Sequence, residues 1–203
     1  LINKGKIDGL IVTINQLKNY YIASVPNETL FVATNGVDLT MFKNLTSKTT
    51  LREQLKIPID KKIICYTGHL YDWKGVQILA LAMKDFGDDF ICYFVGGLQK
   101  DIVRFKNFIK KNNIRNSIIV GHVPPVLVPK YQRASDVLVL PNIEKGDSGY
   151  TSPLKLFEYL VSRRPIVASD LPSLREILTE KNSILVEPGN PSALSKGIKL
   201  ALN

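Results

Sequence analysis

Residues 63–95 read Ile63-Ile64-Cys65-Tyr66-Thr67, then the helix-like segment Val76–Met83, and then Phe90-Ile91-Cys92-Tyr93-Phe94-Val95. The first and last of these runs are apolar at nearly every position and do not alternate with polar residues. Such runs are typical of strands that are buried on both faces of a parallel sheet. Joined by a helical segment, they predict a β-α-β unit in which the helix connects two parallel strands.

The same alternation of apolar runs and helical patterns extends outward in both directions. It predicts an α/β fold with a Rossmann-like, doubly wound parallel sheet and helices on both faces. The further strand-like runs are residues 9–13, 30–33, 117–120, 137–140, 165–168 and 183–186, and the further helical patterns are residues 101–111, 128–134, 153–161, 173–178 and 191–202.

A polar stretch at Thr40–Thr50 predicts a boundary within the chain of 203 residues. Residues 1–40 contain a strand, a helix and a strand, which we interpret as the end of a preceding domain and a linker. Residues 41–203 are long enough to form one complete sheet domain. Because the chain does not begin with methionine, we expect it to be part of a longer protein.

The chain is basic, with 27 lysines and arginines against 18 aspartates and glutamates and a formal net charge of +9. The densest basic cluster lies within residues 100–115, where apolar residues recur at helical spacing, and this favours the solvated face of an amphipathic helix. No nucleic-acid-binding motif accompanies the charge, so we expect no nucleic-acid partner. No apolar run approaches the ~20 residues that span a bilayer. We expect a cytoplasmic protein, and peripheral association with the inner face of a membrane stays open.

Cysteine and histidine are scarce in this sequence. Cys65 and Cys92 each lie within a predicted strand, which indicates two reduced thiols packed in adjacent core strands. With His69 and His122 as the only histidines, a structural zinc site is not expected, and we predict no metal.

The loops that follow the predicted strands are the places to look for a ligand site, because ligands bind beyond the carboxyl ends of parallel strands. Thr67 is followed by Gly68-His69-Leu70-Tyr71-Asp72-Trp73-Lys74-Gly75, where backbone amides and a lysine ammonium suit a phosphate or diphosphate. A solvated loop lysine explains Lys74 equally well. Gly96-Gly97 permits a close backbone approach, and the stiff loop Gly121-His122-Val123-Pro124-Pro125 could face a flat base.

The segment Gly146–Leu160 carries the strongest local signal. Ser152 followed by Pro153 predicts a helix N-cap and first turn. The amides of the first turn, which include those of Leu154 and Lys155, lack intrahelical acceptors and suit an anion. We expect the core-facing stripe to be Leu154, Phe157 and Val161. Lys155 and Glu158 share another face, either as a surface ion pair or with Glu158 accepting hydrogen bonds from ribose.

Several segments together resemble the family 4 glycosyltransferases: Asn35-Gly36-Val37-Asp38, residues 66–75, Gly121-His122-Val123, and Ser152-Pro153-Leu154-Lys155-Leu156-Phe157-Glu158-Tyr159-Leu160, with residues 165–172 and Arg175-Glu176 in agreement. The resemblance extends from Asp8 to the end of the chain and indicates the branch that reads Ser-Pro-Leu-Lys-Leu-Phe-Glu-Tyr. It implies the GT-B fold, in which two Rossmann-like domains face each other across a cleft. This chain would supply the C-terminal, donor-binding half, with residues 1–40 as the end of the N-terminal acceptor domain.

The resemblance also implies roles for single residues. Lys74 would contact the donor diphosphate and Glu158 the ribose, and these two are the expected catalytic residues. His69 stands where many members have an arginine that contacts phosphate. Tyr150 stands where many members have a sugar-facing glutamate, so sugar recognition would fall to backbone groups of residues 149–152 or to Asp147. Leu154 and Lys155 would bind phosphate and the backbone of Val123 would meet the base. The expected binding set is Gly68, His69, Gly96, Val123, Tyr150, Thr151, Ser152, Leu154, Lys155 and Glu158.

The function implied by this resemblance is that of a retaining, hexosyltransferase-like glycosyltransferase. Its donor would be a UDP-sugar or GDP-sugar, and it would need neither a metal nor another cofactor. The acceptor would be a glycan or a lipid-linked molecule bound by the N-terminal domain, so the chain alone is expected to transfer little or no sugar. The alternatives are a non-catalytic nucleotide-sugar-binding module, suggested by Tyr150, a different GT-B enzyme such as an epimerase, and a basic nucleic-acid binder.

Overall fold

Two parallel sheets organise the computed structural model, which describes residues 8–144 and 152–203. The strands are β1 (Leu10–Val12), β2 (Leu30–Val32), β3 (Lys62–Thr67), β4 (Phe90–Val95), β5 (Ser117–Gly121), β6 (Val137–Leu140), β7 (Ile166–Ser169) and β8 (Ile184–Val186). The helices are α1 (Asn15–Tyr21), α2 (Lys48–Leu55), α3 (Val76–Ala82), α4 (Gln99–Lys111), α5 (Val128–Ala134), α6 (Leu154–Ser162), α7 (Pro172–Arg175) and α8 (Pro191–Leu202).

The larger sheet has six parallel strands in the order β5-β4-β3-β6-β7-β8. The chain builds outward from β3 through β4 to β5, then returns to β6 on the other side of β3, where Ile64 lies opposite Val137. The predicted doubly wound, Rossmann-like parallel sheet is confirmed. The reversal between β3 and β6 is a topological switch point, and ligands of such sheets bind at the carboxyl ends of the strands there.

Each face of the six-stranded sheet has its own core, which explains why the strand runs are apolar throughout. Ile64 belongs to one core, built with side chains of α3, α4 and α8. Its neighbour Ile63 belongs to the other, built with side chains of α2, α5, α6 and α7. Both residues are 0% exposed, so neither side of β3 leaves room for a polar side chain in its centre.

The cysteines lie as predicted, as free thiols in the adjacent strands β3 and β4. Cys65 packs into the core on one face of the sheet and Cys92 into the core on the other. Burial raises the pKa of the Cys65 thiol to about 12 and raises that of Cys92 well above its ordinary value. Both are therefore protonated core side chains at neutral pH.

The basic segment near residue 105 forms the amphipathic helix that its pattern predicts. Ile102 and Phe105 of α4 are buried in the core, whereas the lysines Lys106 and Lys110 lie on the exposed face. Among the residues that the structure describes, no helix has both the length and the apolar character needed to cross a bilayer.

The smaller sheet pairs β1 with β2 in parallel and packs against α1 around Val12, Val25 and Leu30. On its other side Ile11 lies directly opposite Phe31, and both side chains are more than half exposed. The predicted strand, helix and strand before residue 40 are all present. The assignment of residues 1–40 and 41–203 to two domains stays a prediction.

One helix ends earlier than its pattern predicts. The apolar spacing predicts a helix over residues 173–178, but α7 ends at Arg175. The chain continues as a single turn, in which the amides of Ile177 and Leu178 both donate to the carbonyl of Leu174. Leu178 is fully buried by this turn, so its place in the apolar pattern reflects burial and not helix.

Candidate functional site

A cavity of about 650 Å³ opens at the carboxyl ends of β3, β4 and β5, beside the start of α6. Every residue of the predicted site that the structure describes lines it; Tyr150 and Thr151 of the predicted set, and Asp147, lie outside the described residues. The lining residues are Thr67, Gly68, His69, Lys74, Val95, Gly96, Gly97, His122, Val123, Pro125, Val128, Ser152, Pro153, Leu154, Lys155 and Glu158. The functional roles of these residues stay predictions.

Glycines allow the loops to meet at this cavity. Gly75, with a φ of 71°, ends the 3-10 turn Asp72–Lys74 and begins α3. A β-carbon on Gly75 would lie 1.6 Å from the carbonyl oxygen of Pro141, just beyond β6. The amide of Ile143 donates to the Trp73 carbonyl at 3.1 Å in the same contact. The turn that carries Lys74 is therefore held against the switch point of the sheet by backbone contacts that only glycine permits.

Lys74 projects from this turn into the cavity wall. Its Nζ lies 3.6 Å from the ring centroid of Trp73, a cation–π contact. Burial lowers the pKa of Lys74 to about 8, because the ammonium loses part of its hydration. The structure thus holds a partly desolvated amine at the site edge, where a bound anion would stabilise its charged form.

Lys155, the second residue of α6, carries a second amine into the cavity. Its Nζ is buried and has no hydrogen-bond acceptor among the described residues. It lies 3.9 Å from the ring centroid of Tyr66, whose hydroxyl donates to the His69 carbonyl at 2.6 Å. Burial, and next the repulsion from Lys74, lower the pKa of Lys155 well below its ordinary value, while Glu158 acts in the opposite sense.

Glu158 lies on the same face of α6 as Lys155, but the two do not form the ion pair that was one interpretation of their spacing. The Glu158 carboxylate accepts a hydrogen bond from the side-chain amide of Gln132 at 2.8 Å instead. Gln132 belongs to α5 and is completely buried. Sequence analysis missed it, because a single glutamine within a short helical pattern gives no sign that partners on β3 and α6 enclose it.

The start of α6 differs from the prediction in two respects. The N-cap is Pro153 and not Ser152, because the first helical hydrogen bond runs from the Leu156 amide to the Pro153 carbonyl. Ser152 lies outside the helix, and its carbonyl accepts from the side-chain amide of Asn35 at 2.9 Å. The predicted core stripe of Leu154, Phe157 and Val161 is also wrong at Leu154, which is 59% exposed at the cavity, whereas Phe157 is partly buried and packs against the core.

The fully buried residues of α6 are instead Leu156, Tyr159 and Ser162, one helical turn apart. This rotation has a physical cause, since the Tyr159 hydroxyl accepts from the Thr67 amide at the end of β3. With α6 rotated in this way, Lys155 and Glu158 lie on the face of the helix that lines the cavity.

The rest of the cavity wall is largely apolar. Val95, Val123, Pro125 and Val128 line it on the side of β4 and β5, and at its mouth the His69 ring stacks on Tyr71 with centroids 4.9 Å apart. Within residues 8–144 and 152–203, no three histidine, cysteine or carboxylate side chains are grouped so as to hold a metal ion. The cavity therefore combines two amines, one carboxylate and two histidine rings with an apolar wall.

Comparison with curated proteins finds glycosyltransferases. The chain is 28% identical over 165 residues to the putative teichuronic acid biosynthesis glycosyltransferase TuaC of Bacillus subtilis, covering 80% of this chain and 39% of that protein. It is 23% identical over 185 residues to the processive diacylglycerol alpha-glucosyltransferase of Acholeplasma laidlawii, covering 88% and 53%. The chain thus spans about half, or less, of the length of these relatives.

Solved structures share the fold. Anabaena HepE, crystallised with UDP and glucose, superimposes with a TM-score of 0.83 at 20% identity over 97% of this chain and 54% of its own. The C-terminal domain of the group 1 glycosyl transferase LpcC from Francisella tularensis gives a TM-score of 0.66 at 22% identity, covering 81% and 87%. The predicted likeness to GT-B glycosyltransferases is confirmed.

Residues 47–203, which include all of the larger sheet and every described cavity residue, match the family model described as glycosyl transferases group 1. The finer assignment to family 4 and to its Ser-Pro-Leu-Lys branch stays a prediction. This chain belongs to the glycosyl transferases group 1 family.

Proposed function

We propose that this chain is the donor-binding half of a retaining glycosyltransferase that uses a nucleoside diphosphate sugar. The donor would be a UDP-sugar or GDP-sugar bound in the cavity beside α6, and a hexosyl group would pass to a glycan or lipid-linked acceptor. The acceptor would be bound by a second domain, to which residues 1–40 would belong.

The observation that carries this proposal is the pair of amines in the cavity. Neither Lys74 nor Lys155 forms an ion pair with a described carboxylate, and the buried Nζ of Lys155 has no described acceptor at all. A buried amine with no anion beside it is costly to a folded protein in its charged form. A diphosphate would supply acceptor oxygens and negative charge to both amines. Its binding would explain why the protein keeps these two lysines in the cavity in spite of their cost in stability.

The remaining cavity chemistry suits the rest of a nucleotide. Glu158 presents a carboxylate about one helical turn beyond the phosphate-binding start of α6, where it could accept hydrogen bonds from ribose hydroxyls. The apolar wall at Val95, Val123 and Pro125 suits a flat base. A volume of about 650 Å³ is within the usual range of small-molecule sites.

In this proposal the chain's own groups stabilise the leaving diphosphate. The ammonium groups of Lys74 and Lys155, and the first-turn amides of α6, face the position where negative charge develops as the bond to the sugar breaks. Such preorganised donors contribute several kcal/mol of transition-state stabilisation in enzymes. The proposal requires no metal for this step.

The relatives support this choice of donor and acceptor. The HepE crystals contain UDP and glucose, and the names of relatives specify teichuronic acid biosynthesis and a diacylglycerol acceptor. An enzyme of the cytoplasm that acts on a lipid-linked acceptor would meet it at the membrane surface, and the exposed lysines of α4 suit such a contact. The exposed pair Ile11 and Phe31 suits burial against a further part of an acceptor domain.

Isothermal titration of the chain with UDP, GDP and ADP tests the proposal. We expect UDP or GDP to bind, and Lys155→Met to weaken that binding about tenfold or more, because a charge-assisted contact is lost from a buried site. Lys110→Met, which removes the same charge from an exposed position on α4, is the matched control. Binding of neither UDP nor GDP, or equal binding by Lys155→Met, would refute the donor site. Binding without sugar transfer by a protein that includes the acceptor domain would favour the non-catalytic module.

A further inference from the structure

A buried glutamine lies directly behind the cavity carboxylate. We infer that Gln132 is a positioning residue, which fixes the Glu158 carboxylate so that one of its oxygens faces the cavity, free to accept from the ribose of the donor. The inference rests on the proposed function, since it concerns how that site recognises its nucleotide.

Three hydrogen bonds hold the Gln132 side chain, which is 0% exposed. Its Nε2 donates to Glu158 Oε2 at 2.8 Å and to Thr67 Oγ1 at 3.3 Å. Its Oε1 accepts from the Ser162 hydroxyl at 2.9 Å. The amide thus joins the end of β3 to two successive turns of α6, and every one of its polar atoms is used.

The chemistry of the partners fixes which way the amide faces. A carboxylate can only accept, so the side of Gln132 that meets Glu158 must be the nitrogen. The carbonyl oxygen then meets the Ser162 hydroxyl, which can donate. A reversed amide would place two acceptors against each other at Glu158, and the Gln132 oxygen, which is 0% exposed, could not turn to water instead.

This arrangement gives the two oxygens of the Glu158 carboxylate different roles. Oε2 accepts a hydrogen bond from Gln132. Oε1 accepts none from any residue that the structure describes, and the Glu158 side chain lines the cavity. Rotation of the carboxylate away from this position would leave the Gln132 amide unpaired in a buried site, which is unfavourable. The free oxygen is therefore held in place before a ligand arrives.

The surrounding network resists any adjustment of Gln132 itself. Thr67 donates its backbone amide to the Tyr159 hydroxyl at 2.9 Å. The Ser162 hydroxyl also lies 2.8 Å from the Glu158 carbonyl, within the same helix. Because the Thr67–Tyr159 bond joins β3 to α6 and the Ser162 hydroxyl is held within α6, the partners of Gln132 are fixed and its side chain is not free to follow a carboxylate that turns. Such a supporting shell is what gives a binding group its precision.

The distinguishing test compares two ligands that differ only at the ribose. Titrations of the chain with UDP and with 2′,3′-dideoxyuridine diphosphate would be made for the wild type and for Gln132→Met, which keeps the length and volume of the side chain. We expect the wild type to prefer UDP. We expect Gln132→Met to lose about tenfold in affinity for UDP and less than twofold for the dideoxy ligand, since hydrogen bonds to charged groups are worth about this factor.

Two further variants keep the result interpretable. Ser162→Ala removes the bond to Gln132 Oε1 with little loss of volume and is expected to reduce the same ribose preference by a smaller factor, so it serves if Gln132→Met does not fold. Ser195→Ala is the matched control: it removes a buried hydroxyl that bonds Asp85 on the far side of the molecule. It should leave both affinities unchanged.

In a Glu158→Ala background, Gln132→Met should have no further effect on the preference, because it acts through Glu158. If Gln132→Met weakened both ligands equally, or left the preference for UDP intact, the positioning role would be refuted while donor binding stood. If the wild type bound neither UDP nor GDP, the proposed function and this inference would both be refuted. If it bound GDP alone, the guanosine pair of ligands would replace the uridine pair.

Discussion

Gly96 lies so close to Gly68 that a β-carbon on Gly96 would be 2.4 Å from the Gly68 carbonyl oxygen. Both residues have left-handed backbone angles, with φ of 118° and 129°. Each stands just past the end of its strand, where the Gly68 amide donates to Val95 and the Gly96 amide to Gly121. The floor of the cavity is thus made of backbone in direct contact with backbone.

Gly96→Ala should destabilise the fold by about 2 kcal/mol or more, because the substitution combines a disfavoured φ with a clash that no side chain can relieve. Gly87→Ala is the matched control, since a β-carbon there meets nothing within 4 Å and its φ is not positive. Urea denaturation of both variants measures the effect. Equal stability of the two would show that the contact between Gly68 and Gly96 can relax at little cost.

The depressed pKa of Lys74 predicts that nucleotide binding depends on pH. Burial holds this pKa at about 8 in the free chain, and a bound diphosphate would favour the charged amine. Binding near pH 8 should therefore take up protons, and affinity should fall as the pH rises through and above 8. The pKa of Lys155 is also lowered in the free chain, so Lys155 should add to the proton uptake on binding.

Isothermal titration in two buffers with different heats of ionisation measures this proton uptake. Lys74→Met should reduce the uptake without abolishing it, because Lys155 remains, whereas the exposed control Lys110→Met should not change it. A binding heat that is independent of the buffer at pH 8 would contradict the assignment of Lys74 to the diphosphate.

The sequence predicts the positions of the strands well, but it does not predict which face of α6 is buried. A strand such as β3, buried on both faces, must be apolar at nearly every position, and that leaves a direct mark on the sequence. The apolar residues of α6 allow more than one buried stripe. The choice of Leu156 and Tyr159 over Leu154 is made by partners such as Thr67, which lies 92 residues away from Tyr159. Gln132 was missed for the same reason.

The buried Arg52 should be essential for stability rather than for binding. Arg52 is 3% exposed, and its guanidinium donates to the carbonyls of Ala134, Ile59 and Lys61 and to the Asp136 carboxylate. Arg52→Met would remove the donor from three backbone carbonyls and leave the part-buried Asp136 carboxylate without its buried cationic partner, and we expect a loss of about 3–5 kcal/mol. Urea denaturation measures it.

Lys48→Met is the control for this ion pair, because Lys48 contacts the same Asp136 carboxylate at 2.8 Å but its side chain is 40% exposed. It should cost no more than about 1 kcal/mol. Similar losses for Arg52→Met and Lys48→Met would show that burial does not set the strength of this pair.

The pKa of Asp136 predicts a loss of stability in acid. Burial acts to raise this pKa, but hydrogen bonds from Lys48, the Ile63 amide and Arg52 outweigh it, so that the pKa lies below its ordinary value. A carboxyl group whose pKa is lowered by folding stabilises the protein above its unfolded pKa of about 3.9, and that contribution disappears as the pH falls through the folded value.

Unfolding free energies measured from pH 7 to pH 3 should therefore decline less steeply in Asp136→Asn than in the wild type. An unchanged pH profile in that variant would contradict the assignment.

Glu176 should hold the smaller sheet in place through the start of α1. Its carboxylate accepts from the Asn15 amide at 2.8 Å and from the Gln16 amide at 3.0 Å, so a side chain about 160 residues away caps this helix. A carboxylate at a helix N-terminus typically contributes about 1 kcal/mol.

Hydrogen exchange in Glu176→Ala should accelerate across residues 8–32 and stay unchanged in β3 and β4. Glu180→Ala, the same charge change in an exposed neighbour that pairs with Arg175, should leave residues 8–32 protected. If both variants exchanged like the wild type, α1 would be held by its apolar contacts alone, and the carboxylate would not couple the two sheets.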